Sequence, residues 1–231
     1  MKNLGRLFLL VLAIVGGTFA GRVYNRVVLD SLTADAQTDA PVVVAPIRSY
    51  SAKVVVDAPT FQDIATGTLI RSDLILTNWH ALRSYYGANT KLIVELADGS
   101  AVTATVLKKD KEKDLALLEL SKPCILPNLG LSPNEPGKDQ QLTIAGFAKG
   151  HEYRIVSGKV VGRRSATKTE KGPGILFLMD CCVTGGMSGS AAVDANGQLA
   201  GVVFGCSDGF TYGAGVDTVR DFLEGTKYWD N

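Results

Sequence analysis

The sequence predicts an all-β protein: two sets of about six short strands, a connector between them and one short helix at the end. Three observations carry this. From about Arg48 the chain runs in short apolar stretches, such as "AKVVVDAP", "GTLI", "LILTNW", "KLIVELADGS", "AVTATVLKKD" and "DLALLEL", broken by Gly, Asp, Asn and Pro. Many short strands with turn signals between them mark sandwiches and barrels. The stretch from Ser121 to Gln140 is rich in Pro and Gly and reads as a connector. A second strand set follows: "QLTIAGF", "YRIVSGKVVGRR", "GILFLMD", "SAAVDANGQLAGVVFG" and "TYGAGV".

Taken in order, residues 1–20 stand apart. Lys2 and Arg6 precede the uncharged run Leu7 to Ala20. As a helix that run spans about 21 Å, short of a hydrocarbon core of about 30 Å. It reads as a secretory signal peptide ending near Ala20, with an uncleaved membrane anchor through residues 7–20 as the alternative. Either reading exports the remainder. Residues 21–47, with Pro41 and Pro46 and no sustained periodicity, read mostly as a spacer. The folded domain is expected over 48–231, with its first strand set over about 48–120 and its second over about 140–218. Asn196-Gly197 predicts a hairpin turn whose two central residues take φ > 0. Near the end, Asp217 is placed to cap a helix over about 217–225 that Gly225 stops.

Bulk properties narrow the function. With Lys+Arg 24 against Asp+Glu 23 the net charge is +1, so charge gives no ground for binding nucleic acid or an anionic membrane surface. Cys124, Cys181, Cys182 and Cys206 form no Cys-x-x-Cys pair, and there are two histidines, which argues against a zinc site. Four cysteines in an exported chain permit disulfides, with three pairings open.

The stretch "GGMSGS", Gly185 to Ser190, surrounds Ser188 with residues that free the backbone. A serine hydroxyl is a weak nucleophile. It needs a base, a group that orients the base, and donors for the oxyanion of acyl transfer. His80 follows the apolar run "DLILTNW" at a strand end, where a side chain reaches a cleft; His151, in "AKGHEYR", reads as a solvated turn residue. Asp114 opens the nearly continuous apolar run "DLALLEL", where an acid is costly unless paired. The N–H groups of Gly186 and Ser188 are the natural oxyanion donors. The chain order His80, Asp114, Ser188 is the Ser-His-Asp order found on paired β-barrels, and the strand pattern independently asks for two barrels. A lipase elbow is excluded by Ser190 and by the order of the three residues. A phosphate loop is excluded because no Gly-Lys-Ser/Thr follows the glycines.

These residues carry a resemblance. The chain resembles trypsin-like serine proteases of the chymotrypsin fold, most closely the protease domain of the HtrA/Deg group. The carriers are "GTLIRSDLILTNWHAL", "ADGSAVTATVLKKDKEKDLALLEL", "LTIAGFAKGHEYRIVSGKVVG", "GGMSGSAAVDANGQLAGVVFG" and "GAGVDTVRDFL", which run in the family's order over roughly residues 53–224. It implies two six-stranded antiparallel β-barrels with a short C-terminal helix, and no PDZ domain is expected to follow. It also implies a cofactor-free endopeptidase acting on protein or peptide substrates, with His80, Asp114 and Ser188 as its triad. HtrA-type proteases read Gly-Asn-Ser-Gly-Gly at the nucleophile. Here Met187 replaces the Asn and Ser190 the last Gly, an ending similar to that of glutamyl endopeptidases. Met187 also stands where trypsins carry the Asp that receives a freed N-terminal amine, so that ion pair is not expected. By the resemblance, Cys182, Val183 and Thr184 with Val203, Phe204 and Gly205 wall the specificity pocket. Their lack of charge implies small or medium apolar side chains before the cut. A Cys182–Cys206 bond would brace these walls, with Cys181 an equally allowed partner and free thiols the alternative. A catalytically silent binding or scaffold protein on the same fold is the second expectation.

Overall fold

The structure, a computed structural model, describes residues 44–85, 89–165 and 175–229. The apolar leader at 1–20 and residues 21–43 of the expected spacer lie outside them. Among the described residues no helix is long and apolar enough to cross a membrane.

Two closed antiparallel barrels of six strands each make up the fold. The first holds β1 (Ser51–Ala58), β2 (Phe61–Arg71), β3 (Leu74–Thr77), β4 (Lys91–Glu95), β5 (Ala101–Asp110) and β6 (Leu115–Leu120), closed in the order β1-β2-β3-β6-β5-β4. The second holds β7 (Gln141–Ala148), β8 (Glu152–Ser165), β9 (Ile175–Met179), β10 (Ala191–Val193), β11 (Leu199–Ser207) and β12 (Phe210–Gly215), closed as β10-β11-β12-β9-β8-β7. Alternation appears where one strand face meets water, as along β4 and β5; β3 and most of β6 are buried on both faces, which is why they read as unbroken apolar runs. One cluster around Val54, Ile75, Val94 and Leu118 fills barrel one, and one around Leu142, Ile144, Val160 and Phe177 fills barrel two. A third joins Leu76 and Leu117 to Val202, Phe204 and the C-terminal helix, so it packs the barrels together.

Three local details depart from the sequence reading. A helix, α1 (Val44–Tyr50), begins inside the stretch read as spacer. Pro46 falls in its first turn, where a missing N–H costs nothing, and Ile47 packs into the inter-barrel cluster. The β10–β11 hairpin forms, but only Gly197 has positive φ, at 74°. The Asp194 carboxylate accepts the N–H groups of Asn196 and Gln198, both at 2.9 Å, and this longer side-chain-organised loop replaces the two-residue turn. At α2 (Val216–Leu223) the first turn is satisfied from outside: Glu135 Oε1 accepts the N–H of Asp217 at 2.6 Å, while the Asp217 side chain pairs with Arg220. Gly225 does follow the helix with φ 68°.

Candidate active site

β3 and β6 pair with Thr77 opposite Ala116, so the residues leaving β3 lie beside those entering β6. Asp114, at the mouth of β6, takes a left-handed φ of 50°, which Asp tolerates better than most residues. Its carbonyl accepts the Trp79 N–H at 3.1 Å and the Asn78 side-chain amide at 3.0 Å. Its carboxylate takes two bonds from one residue: Oδ1 accepts the His80 N–H at 2.7 Å, and Oδ2 lies 2.5 Å from His80 Nδ1. An ionised carboxylate only accepts, so Nδ1 carries the proton and Nε2 is left as the basic nitrogen. Asp114 is buried, with 7% of its side chain exposed against 27% for His80, and the imidazole is the part that reaches the cleft. The acid that looked costly at the head of an apolar strand is therefore paired.

Ser188 sits on a turn stitched between the barrels. From barrel one, Thr66 N donates to Ser188 O at 3.0 Å, and the Thr66 hydroxyl donates to Gly186 O and accepts the Phe147 N–H, each at 2.9 Å. From barrel two, Gly189 N donates to Val203 O and Val203 N to Ser190 O. The glycines are required here. Gly186 has φ 92°, and a Cβ on it would collide with Phe147 O; Gly189 has φ 86°, and a Cβ on it would collide with Thr66 O. Gly185 O is turned outward, accepting Lys149 N at 2.6 Å, so the N–H across that trans peptide points the other way. Met187 O accepts Ser190 N at 3.1 Å, with the same consequence for the Ser188 N–H. The Gly186 and Ser188 N–H groups donate to nothing among the described residues.

His80, Gly186 and Ser188 line one open cleft of about 240 Å³, together with Asp63, Ile64 and Ala65 of β2. Within it the Ser188 hydroxyl donates to the Phe204 carbonyl at 2.8 Å. The acceptor of the serine proton in this structure is thus a main-chain oxygen of β11 and not the imidazole.

None of the six expected specificity residues lines that cleft. Val183 and Val203 pack into the barrel-two core, Phe204 packs in the inter-barrel cluster with its ring edge-on to Tyr212, Thr184 and Gly205 are half-buried, and Cys182 is exposed. Cys182 and Cys206 are joined by a disulfide with Cα atoms 5.3 Å apart, which ties the segment before Ser188 to β11. Cys124 and Cys181 are free thiols, and burial pushes the Cys181 thiol up from its ordinary range. His151 is exposed in the β7–β8 turn.

Met187 now has a role. Its side chain is fully buried among Val183, Ala192 and Val203, so apolar packing anchors the turn where trypsins use an ion pair. Ser190 is also fully buried, and its hydroxyl has no partner among the described residues; a Cβ on Gly146 would collide with it. Sequence reasoning missed Thr66, the Phe204 carbonyl and Asp63. Thr66 and Phe204 act through main-chain or short-range bonds that only the docked barrels create, and no pattern in "ATGTLI" sets Thr66 apart from Thr68.

Comparison with known proteins agrees with this fold. The profile of the trypsin-like peptidase domain matches residues 65–202. The Haemophilus influenzae protein named "Probable periplasmic serine protease do/HhoA-like" is 30% identical over 146 residues, covering 62% of this chain and 30% of its own length. The periplasmic serine endoprotease DegP of Escherichia coli is 27% identical over 146 residues, with the same shares. This chain therefore spans about a third of the length of the curated relatives it matches. Among solved structures, the active form of a protease from M. tuberculosis superposes with a TM-score of 0.69 at 23% identity, over 80% of this chain and 83% of that one. An HtrA-type protease with a bound tripeptide gives 0.66 at 20%, over 79% and 61%. Fold and sequence profile agree: the chain belongs to the trypsin-like peptidase family, with HtrA/Deg proteases among its relatives.

Proposed function

We propose that the protein is an exported serine endopeptidase. Ser188 attacks the peptide carbonyl and forms an acyl-enzyme. His80 takes the serine proton through Nε2 and returns it to the leaving amine. Asp114 fixes the imidazole tautomer and stabilises the imidazolium, and the Gly186 and Ser188 N–H groups hold the oxyanion. The observation that carries this reading is the bonded His80–Asp114 pair in one cleft with a serine flanked by two unengaged N–H groups. Export follows from the leader at 1–20 and agrees with periplasmic relatives. The lack of charge in Cys182–Thr184 and Val203–Gly205 favours small or medium apolar residues before the cut.

One observation favours a second reading, a silent or trigger-dependent protein: the Ser188 hydroxyl is bonded to Phe204 O and must turn to reach His80. A fluorophosphonate probe separates the two. Labelling of the wild type, lost in Ser188→Ala and strongly slowed in His80→Ala, supports the endopeptidase. No labelling in the presence or absence of unfolded protein supports silence. Sequencing the ends released from a peptide library tests the apolar preference, which fails if charged residues dominate before the cut.

A further inference from the structure

The Ser188 turn lies between two strand edges. β11 pairs with β10 only as far as Val202, so its edge beyond Val203 is open on the side where Phe204 O meets Ser188 Oγ. β2 pairs with β1 along Phe61 to Thr68 but meets β3 only from Thr68 on, so the other edge of residues 61–65 is also open. Thr66 N, next along that edge, holds Ser188 O. An extended substrate that places its scissile carbonyl at Ser188 therefore has one half over β11 and the other over β2. The cleft beside Ser188 is bounded by β2 residues and by none of the residues expected to wall the acyl-side pocket. It therefore receives the other half, the part released as the leaving amine.

Among the described residues Asp63 is the only carboxylate lining that cleft. It is exposed and forms no hydrogen bond or ion pair with any described residue. Its strand neighbour Gln62 instead bonds Asp57. Lys149 and His151 flank Gly150, which packs against Ile64, yet neither is paired with Asp63. An acid left without a partner inside a substrate cleft biases the charge of what binds there.

We propose that Asp63 selects substrates with Lys or Arg within two residues after the cut. This rests on the reading of Ser188 as the nucleophile. Bond cleavage is unchanged by it: the carboxylate acts on binding of the leaving half only.

The test uses the full chain and pairs of quenched-fluorescence peptides, built on a sequence the protein cuts and differing only by Lys or Glu at the first or second position after the cut. The readout is the ratio of kcat/KM within each pair, so that overall changes in activity cancel. In the wild type the Lys peptide is expected to be favoured about five-fold, the scale of one partly exposed ion pair, with the ratio falling as salt is added. Asp63→Asn brings the ratio to about one, and Asp63→Lys reverses it. A wild-type ratio of one, or a ratio that survives in Asp63→Asn, overturns the proposal while fluorophosphonate labelling of Ser188 still stands. A wild type that neither labels nor cuts overturns the endopeptidase reading, and this proposal with it.

Discussion

The two barrels contribute to the site in different ways. Barrel one supplies His80 and Asp114 as a finished pair: both sit at strand ends that the β3–β6 register brings side by side, and two bonds join them directly. Barrel two supplies Ser188 on a loop that no sheet register fixes. That loop is held by main-chain bonds to β2 and β11 and by the burial of Met187, and its hydroxyl is turned to Phe204 O. In the proposed mechanism the acid–base half therefore depends on pairing inside one barrel, whereas the nucleophile half depends on how the barrels dock. Damage to the first should spare stability and remove activity. Damage to the second should cost both.

The largest effect is expected in the prewired half. Asp114→Asn presents an amide to Nδ1 and forces the wrong imidazole tautomer, so the rate of fluorophosphonate labelling should fall about 10⁴-fold with the fold intact by circular dichroism. A drop below ten-fold would show that the pair is not what activates Ser188. Gly186→Ala comes next. Its φ of 92° and the collision with Phe147 O should displace the proposed oxyanion N–H and lower kcat about 10²–10³-fold. The backbone strain should also destabilise the fold by about 1–3 kcal/mol, read from urea unfolding. Met187→Ala should destabilise by about 2–5 kcal/mol through the cavity it leaves. A loss under 1 kcal/mol would break the argument that packing anchors the turn. Ser190→Ala is the smallest: removing a buried hydroxyl without a partner should change stability by about 1 kcal/mol or less, in the stabilising direction. Clear destabilisation in urea would mean that the hydroxyl has a role in the turn.

The same contrast explains what was legible in the sequence. The strands of both barrels show in their alternation and in their unbroken apolar runs, because burial pattern is a local property. His80 and Asp114 show because an imidazole at a strand end and an acid on an apolar strand need a reason to be there. Ser188 shows through its glycines, two of which do adopt positive φ. The direction of its hydroxyl does not show, since a rotamer is chosen by its surroundings after docking. Nor does the burial of Met187, which lies in a loop with no periodicity to place it inside. The helix α1 was hidden for a related reason: seven residues with a proline carry no amphipathic repeat, and docking of Ile47 accompanies the helix. At Asn196-Gly197 the turn signal marked the right place and the wrong geometry, because Asp194 competes for the loop's N–H groups.

The Cys182–Cys206 bond has a consequence for the protein's survival. As the endopeptidase proposed above, the protein would be surrounded by copies of itself, with loops near its own site within reach of its neighbours. This crosslink closes a loop of sequence separation 24 that contains the whole Ser188 turn. A single nick anywhere between residues 182 and 206 leaves the two pieces covalently attached, with the remaining strands still paired. Self-digestion at this loop then wounds the molecule without releasing a fragment, so long as the surroundings keep the bond oxidised.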